Sequence, residues 1–122
     1  MFPGFLDPVK LEILDDNSND GRGSWQLLYD VRCWSRVVGS TILIPAGFIY
    51  DLASVPRWPF MGTLFLGRAS RAALPHDWLY WTHQYPRDVA DQIFREMMYA
   101  TGVPTDITEA MYQGVRLGGS KA

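Results

Sequence analysis

His76-Asp77-Trp78-Leu79-Tyr80 and, eleven residues further on, Asp91 are the residues whose types and spacing suit acid–base chemistry. An imidazole held by a carboxylate has a fixed tautomer and a raised basicity. A base oriented in that way can activate water. On a helix turning about 100° per residue, Ala69, Ala72, Ala73 and Tyr80 all fall within about 60° of His76. The face that carries His76 is therefore lined with alanines, which lets a neighbouring helix come close. The next helical stretch is the natural neighbour, because its connection is short. Its apolar face is Ala90, Ile93, Phe94 and Met97, with Asp91 at the rim beside Met98 and Asp88 toward solvent. Geometry thus selects Asp91 to meet His76, at a hollow that solvent can reach. Asp77 faces another direction and could hold a cation. The plain alternative is a His–Asp hydrogen bond that satisfies a partly buried imidazole and does nothing more. His83, the other histidine, stands at a helix C-terminus, where the dipole favours a cation, and reads as a capping residue.

A second polar group, Asp51, Ser54 and Arg57, lies in an otherwise apolar stretch. Asp51 could add a cation ligand or a substrate-side acid, and Arg57 could clamp a phosphate. Equally, Asp51 and Arg57 could form a structural ion pair, with Ser54 closing a turn. Joining Asp51, His76, Asp77 and Asp91 in one oxygen-rich site for zinc, manganese or magnesium is disfavoured, because adjacent residues on a helix do not easily reach a single ion. Gly21-Arg22-Gly23 falls in a hairpin rather than between strand and helix, so it is not a phosphate loop. Cys33 alternates with strand core positions and reads as an inert buried thiol. Met97, Met98 and Met111 read as core filler.

These groups need positioning elements. Val9 to about Phe48 is strand-like. Val9, Leu11 and Ile13 alternate with Lys10, Glu12 and Leu14, and the cluster from Asp15 to Gly23 reads as a hairpin loop. Trp25, Leu27, Tyr29, Val31 and Cys33 share one face of a second strand. Thr41 to Ile44 is a third, stopped by Pro45, with its turn at Gly39-Ser40, and Phe48-Ile49-Tyr50 returns as a fourth. Residues 51–67, with Pro56, Pro59, Gly62 and Gly67, read as a long ordered loop. Helices follow from Arg68 to about Thr82 with Pro75 inside, from Arg87 to Ala100 closed by Gly102, and from Thr105 as N-cap to about Arg116. The fold class expected is α+β: about four N-terminal antiparallel strands packed against three C-terminal helices in one domain, residues 1–122.

Composition narrows the class of protein. The 122 residues carry eleven basic and thirteen acidic side chains, a net charge of −2, which argues against nucleic acid as a partner. A single cysteine allows no internal disulfide. The N-terminus lacks the basic region and apolar run of a secretory signal, and no stretch approaches the ~20 apolar residues of a spanning helix. Synthesis in a cytoplasm is expected. The aromatic content, 14%, fits either a small core filled with large rings or a surface that lies on a membrane or another protein.

Two resemblances attach to these residues. The run Pro45-Ala46-Gly47-Phe48-Ile49-Tyr50-Asp51-Leu52-Ala53-Ser54-Val55-Pro56-Arg57, then His76-Asp77-Trp78-Leu79-Tyr80, then Ala90-Asp91-Gln92-Ile93-Phe94, resembles a family of short uncharacterised bacteriophage and prophage proteins. Its pattern is P-A-G-F-x-T-D-x-A-S-V-P-R, H-D-x-L-Y and A-D-x-x-F. Tyr50 and Leu52 depart from it. The helical half is also similar to the core of phospholipases A2, with their H-D-x-x-Y and D-x-x-F helices. That likeness implies His76 as general base and Asp77 as a calcium-binding carboxylate. It implies Tyr80 and Asp91 as the hydrogen-bonding pair behind the base, with Asp91 orienting His76. The chain has neither a disulfide framework nor a Gly-rich calcium loop, and Pro75 immediately precedes His76.

The function these resemblances imply is a virion- or lysis-associated phage protein that hydrolyses host-envelope lipid esters, possible only if the His–Asp site is catalytic. Calcium would assist through Asp77 and Asp51, and the aromatic stretch from Trp58 to Phe65 would touch lipid. The alternative is a non-enzymatic component of the phage particle, in tail, baseplate or head. Its partners would be other particle proteins, and the polar site would only stabilise the fold.

Overall fold

The computed structural model describes residues 1–15, 24–50 and 59–118, with the backbone alone for 15 and 59–70. Among these residues, six strands precede three helices: β1 (Gly4–Phe5), β2 (Leu11–Asp15), β3 (Ser24–Leu27), β4 (Val31–Ser35), β5 (Ser40–Ile44), β6 (Ile49–Tyr50), α1 (Pro59–Thr82), α2 (Arg87–Ala100) and α3 (Thr105–Gly118). The class is α+β, as the change of period along the sequence predicts. The strands form two antiparallel sheets, ordered β1–β4–β5 and β2–β3–β6.

The expected second strand is two strands in different sheets. Apolar alternation continues from Trp25 to Cys33, but the ladder breaks at Leu28–Asp30. There the Leu28 N–H donates to the Lys10 carbonyl at 2.9 Å, and the Asp30 carboxylate accepts the Ala46 N–H at 2.8 Å. The chain leaves β3 and enters the other sheet as β4. Strand β1, absent from the sequence reading, is only two residues long. It is held by the Leu6 N–H on the Arg32 carbonyl and by Asp7, which takes both the backbone N–H and the guanidinium of Arg32 at 2.8–2.9 Å. Those bonds hold the Asp7 carboxyl down at about 2. The turn cluster 16–23 lies outside the described residues, and the strands flanking it pair antiparallel with a bulge between Ile13 and Asp15. Gly47 has φ +93°, a conformation that favours glycine, and its N–H reaches the Leu27 carbonyl at 2.7 Å.

Helix α1 starts at Pro59, not at Arg68, so residues 59–67 are helical where a loop was expected. Proline suits a first helical position, where its missing N–H would have had no partner. Pro75 is accommodated inside the helix. Helix α2 has the expected bounds. It closes with the Gly102 N–H on the Tyr99 carbonyl and the Val103 N–H on the Met98 carbonyl, Gly102 standing at φ +88°. In α3, the Thr108 N–H bonds the Pro104 carbonyl, so Pro104 rather than Thr105 occupies the capping position.

The core lies between the helices and the inner faces of the strands. Val31, Cys33, Ile42 and Ile44 are buried opposite Leu74, Leu79, Ile93, Phe94 and Met97. Helix α2 is central: α1 and α3 both pack on it, and it also meets β1 and β4. Met97, Met98 and Met111 are core residues, as expected. Burial pushes the Cys33 thiol up to about 12, with the charge of Glu96 adding to it, which leaves the thiol inert at neutral pH.

Candidate functional site

The site is built where α1 crosses α2. Ala72 and Ala73 on α1 are fully buried, α1 packs closely on α2, and side chains this small let two backbones approach. His76, one turn further on, then meets Asp91 on α2. The His76 Nε2 lies 2.7 Å from Asp91 Oδ1. The Tyr80 hydroxyl donates to the same oxygen at 2.5 Å. His76 and Asp91, which spacing selected for acid–base chemistry, are thus in direct contact, and Tyr80, which the resemblance adds, shares the same carboxylate.

Two features differ from expectation. Asp91 is not at a rim: it is 0% exposed, and His76 is 1% exposed. The imidazole is stacked 4.8 Å from the Phe94 ring and tilted 4.3 Å from the Tyr80 ring. That burial departs from the solvent-reachable hollow expected beside the pair. A cavity of about 630 Å³ lies elsewhere, lined by Phe2, Arg36, Gln92, Arg95, Tyr99 and Tyr112 among others. The second difference is Arg116, near the end of α3, whose Nη1 donates to Asp91 Oδ2 at 2.8 Å. Sequence reasoning missed it, because a basic residue in a last turn is already accounted for by the helix dipole.

The electrostatics assign the protons. Burial holds His76 below the usual histidine range and outweighs the pull of Asp91, so the ring is neutral near pH 7. Burial alone would raise the Asp91 carboxyl. The bonds from His76, Tyr80 and Arg116 outweigh it and keep the group ionised. An ionised carboxylate only accepts, so Nε2 carries the imidazole hydrogen and Nδ1 carries the lone pair. Burial and the Asp91 bond push the Tyr80 phenol up, which keeps it a donor. Nδ1 lies 3.9 Å from Asp77 Oδ1. Asp88 is exposed, as expected. His83 is exposed at φ +54°, and its N–H reaches the Leu79 carbonyl at 2.9 Å, so it closes the end of α1.

Asp51, Ser54 and Arg57 lie outside the described residues, as do the side chains of the aromatic stretch up to Phe65. Among the described residues, no three His, Cys, Asp or Glu side chains converge to hold a metal. Calcium takes six to eight oxygens, and Asp77 supplies one carboxylate. These residues do not by themselves make a calcium site. No helix among them is long and apolar enough to cross a membrane.

A family model described as "Protein of unknown function (DUF1353)" matches residues 25–115. The chain belongs to the DUF1353 family. The DUF1353 span takes in His76, Asp77, Tyr80 and Asp91, and it ends one residue before Arg116. No curated protein and no solved structure matches the chain.

Proposed function

We propose that the chain is a small phage- or prophage-encoded protein acting on ester bonds of host-envelope lipid, through a site of the phospholipase A2 kind. The observation that carries this reading is the wiring of one carboxylate. Asp91 takes the His76 Nε2 and the Tyr80 hydroxyl on one oxygen, while Asp77 stands on the Nδ1 side of the ring. In this reading His76 takes a proton from water through Nδ1 as the water oxygen adds to the ester carbonyl. Asp91 stabilises the imidazolium that forms, and Tyr80 and Arg116 hold Asp91 in place. When the tetrahedral intermediate breaks down, the ester C–O bond cleaves and the proton passes to the departing alkoxide oxygen. The products are a fatty acid and a lysolipid. Asp77 and Asp51 are the residues that would hold calcium, which the resemblance implies, and it would polarise the ester carbonyl there.

The burial of His76 favours a second reading, in which the protein is a non-enzymatic component of the phage particle and the polar cluster locks three helices together. A base needs a path to its substrate, and a ring 1% exposed has none in this conformation.

Fatty-acid release from anionic phospholipid vesicles, for wild type and His76→Gln, with and without calcium, separates the two. The hydrolase reading expects release that falls about a hundredfold or more in the variant. Equal background in all four conditions overturns it and leaves the particle component, which mass spectrometry of purified virions would then detect.

A further inference from the structure

Helix α2 carries a second stripe. Asp91, Phe94 and Met98 are buried toward the site described above, while Gln92, Arg95, Glu96 and Tyr99 recur three and four residues apart and share another face. That face is one wall of the cavity of about 630 Å³. Phe2 and Pro3, Arg36 and Val37, and Tyr112 supply the others. The volume is in the usual range for small-molecule sites.

Hydrogen bonds fix these walls. Glu96 accepts the Ser35 hydroxyl at 2.6 Å and the Arg36 backbone N–H at 2.9 Å, which ties the end of β4 to α2. Glu109 accepts the Arg95 guanidinium at 2.6 and 2.7 Å and the Tyr99 hydroxyl at 2.6 Å. The same guanidinium lies 4.9 Å from the centre of the Tyr112 ring. Groups held in place beforehand cost a ligand less ordering. These bonds also decide which charge the cavity offers. Both oxygens of Glu96 and both of Glu109 take donors from the protein, and Arg95 spends two N–H groups on Glu109. The exposed Arg36 guanidinium makes one hydrogen bond among the described residues, a long one of 3.5 Å to the Met1 carbonyl. A guanidinium has five N–H donors in a planar fork, a shape that takes a carboxylate on two bonds. Phe2, Tyr99 and Tyr112 offer aromatic surface to a flat apolar body.

We propose that this cavity binds a small organic anion, a carboxylate carried on an aromatic body, with the carboxylate on Arg36 and the body among Phe2, Tyr99 and Tyr112. Binding here needs nothing from His76 or Asp91, so it is independent of ester cleavage.

Titration of the whole isotope-labelled chain with phenylacetate, followed by NMR, tests this. The backbone amide signals of residues 36, 37, 92–100 and 112 are expected to move together and to saturate. Acetate lacks the aromatic body and phenylacetamide lacks the charge, and each is expected to bind about tenfold more weakly or worse. Arg36→Gln keeps the backbone N–H that Glu96 holds, so its spectrum is expected to match the wild type away from the substitution. Its affinity for phenylacetate is expected to fall about tenfold or more. No saturating shift with phenylacetate overturns the site, as do shifts that fall away from the cavity. Equal binding of phenylacetamide overturns the anion, and equal binding of acetate overturns the aromatic body. Wild-type affinity in the variant overturns the part given to Arg36.

Discussion

Asp91 uses both carboxylate oxygens, one for His76 and Tyr80 and the other for Arg116, and this sets how the protein responds to acid. The folded state holds His76 below the usual histidine value of about 6.5, while the unfolded chain regains that value. Below it the unfolded state binds a proton that the folded state refuses, so stability falls as the pH drops. Asp91 is also held low. Its contribution is present above the unfolded carboxyl value and is lost only at more acid pH, as the pH falls through its own lowered value. Urea unfolding between pH 7.5 and 5 is expected to show declining stability in the wild type and a flatter profile in His76→Gln. Identical slopes would refute the neutral assignment of the ring. At this scale the sequence was readable where a helical period fixes direction. His76 and Tyr80 share an alanine-lined face, and of Asp88 and Asp91 on the next helix only Asp91 faces inward. Arg116 was not readable, because nothing local distinguishes a charge that completes a buried cluster from one that ends a helix.

The same limit operates on elements. Helices α2 and α3 were legible from their periods, their prolines and Gly102. The strands were less so. Alternation from Trp25 to Cys33 reports which way side chains point, and it persists when the chain changes sheets at Leu28–Asp30, where the deciding bonds come from Lys10 and Ala46. Strand β1 is too short to carry a period and exists because Arg32 and Asp7 hold it. The approach of α1 to α2 was legible, and it makes a prediction. Ala73 is fully buried about one turn before His76, on the helix that packs against the one carrying Asp91. Ala73→Leu would overpack that contact and is expected to destabilise the fold by about 1–3 kcal/mol, measured by denaturant unfolding. It should also part His76 from Asp91, seen as loss of the protected Nε2 proton in NMR spectra. A variant with that proton intact would place the helix contact elsewhere than at the alanines.

Across the molecule, the two sheets supply one wall of the core and α2 is the hub on which α1, α3, β1 and β4 all rest. The family model covers residues 25–115, and the architecture extends past it at both ends. Before the span stand β1, which pairs with β4, and β2, which pairs with β3. After it stands Arg116. Removing residues 116–122 would leave Asp91 with one uncompensated oxygen in the interior, and a lone buried charge is strongly unfavourable. A chain ending at Val115 is therefore expected to melt at a lower temperature than the whole chain by circular dichroism, and equal melting would show that the Arg116 pair contributes nothing.

The position of that arginine bears on how the protein should be dissected. A recombinant fragment trimmed to the span shared with its relatives would discard the guanidinium that balances the central acid, along with two strands that close the sheets. Its misbehaviour in solution would then reflect where the scissors fell, and anyone seeking an activity should begin with every residue in place.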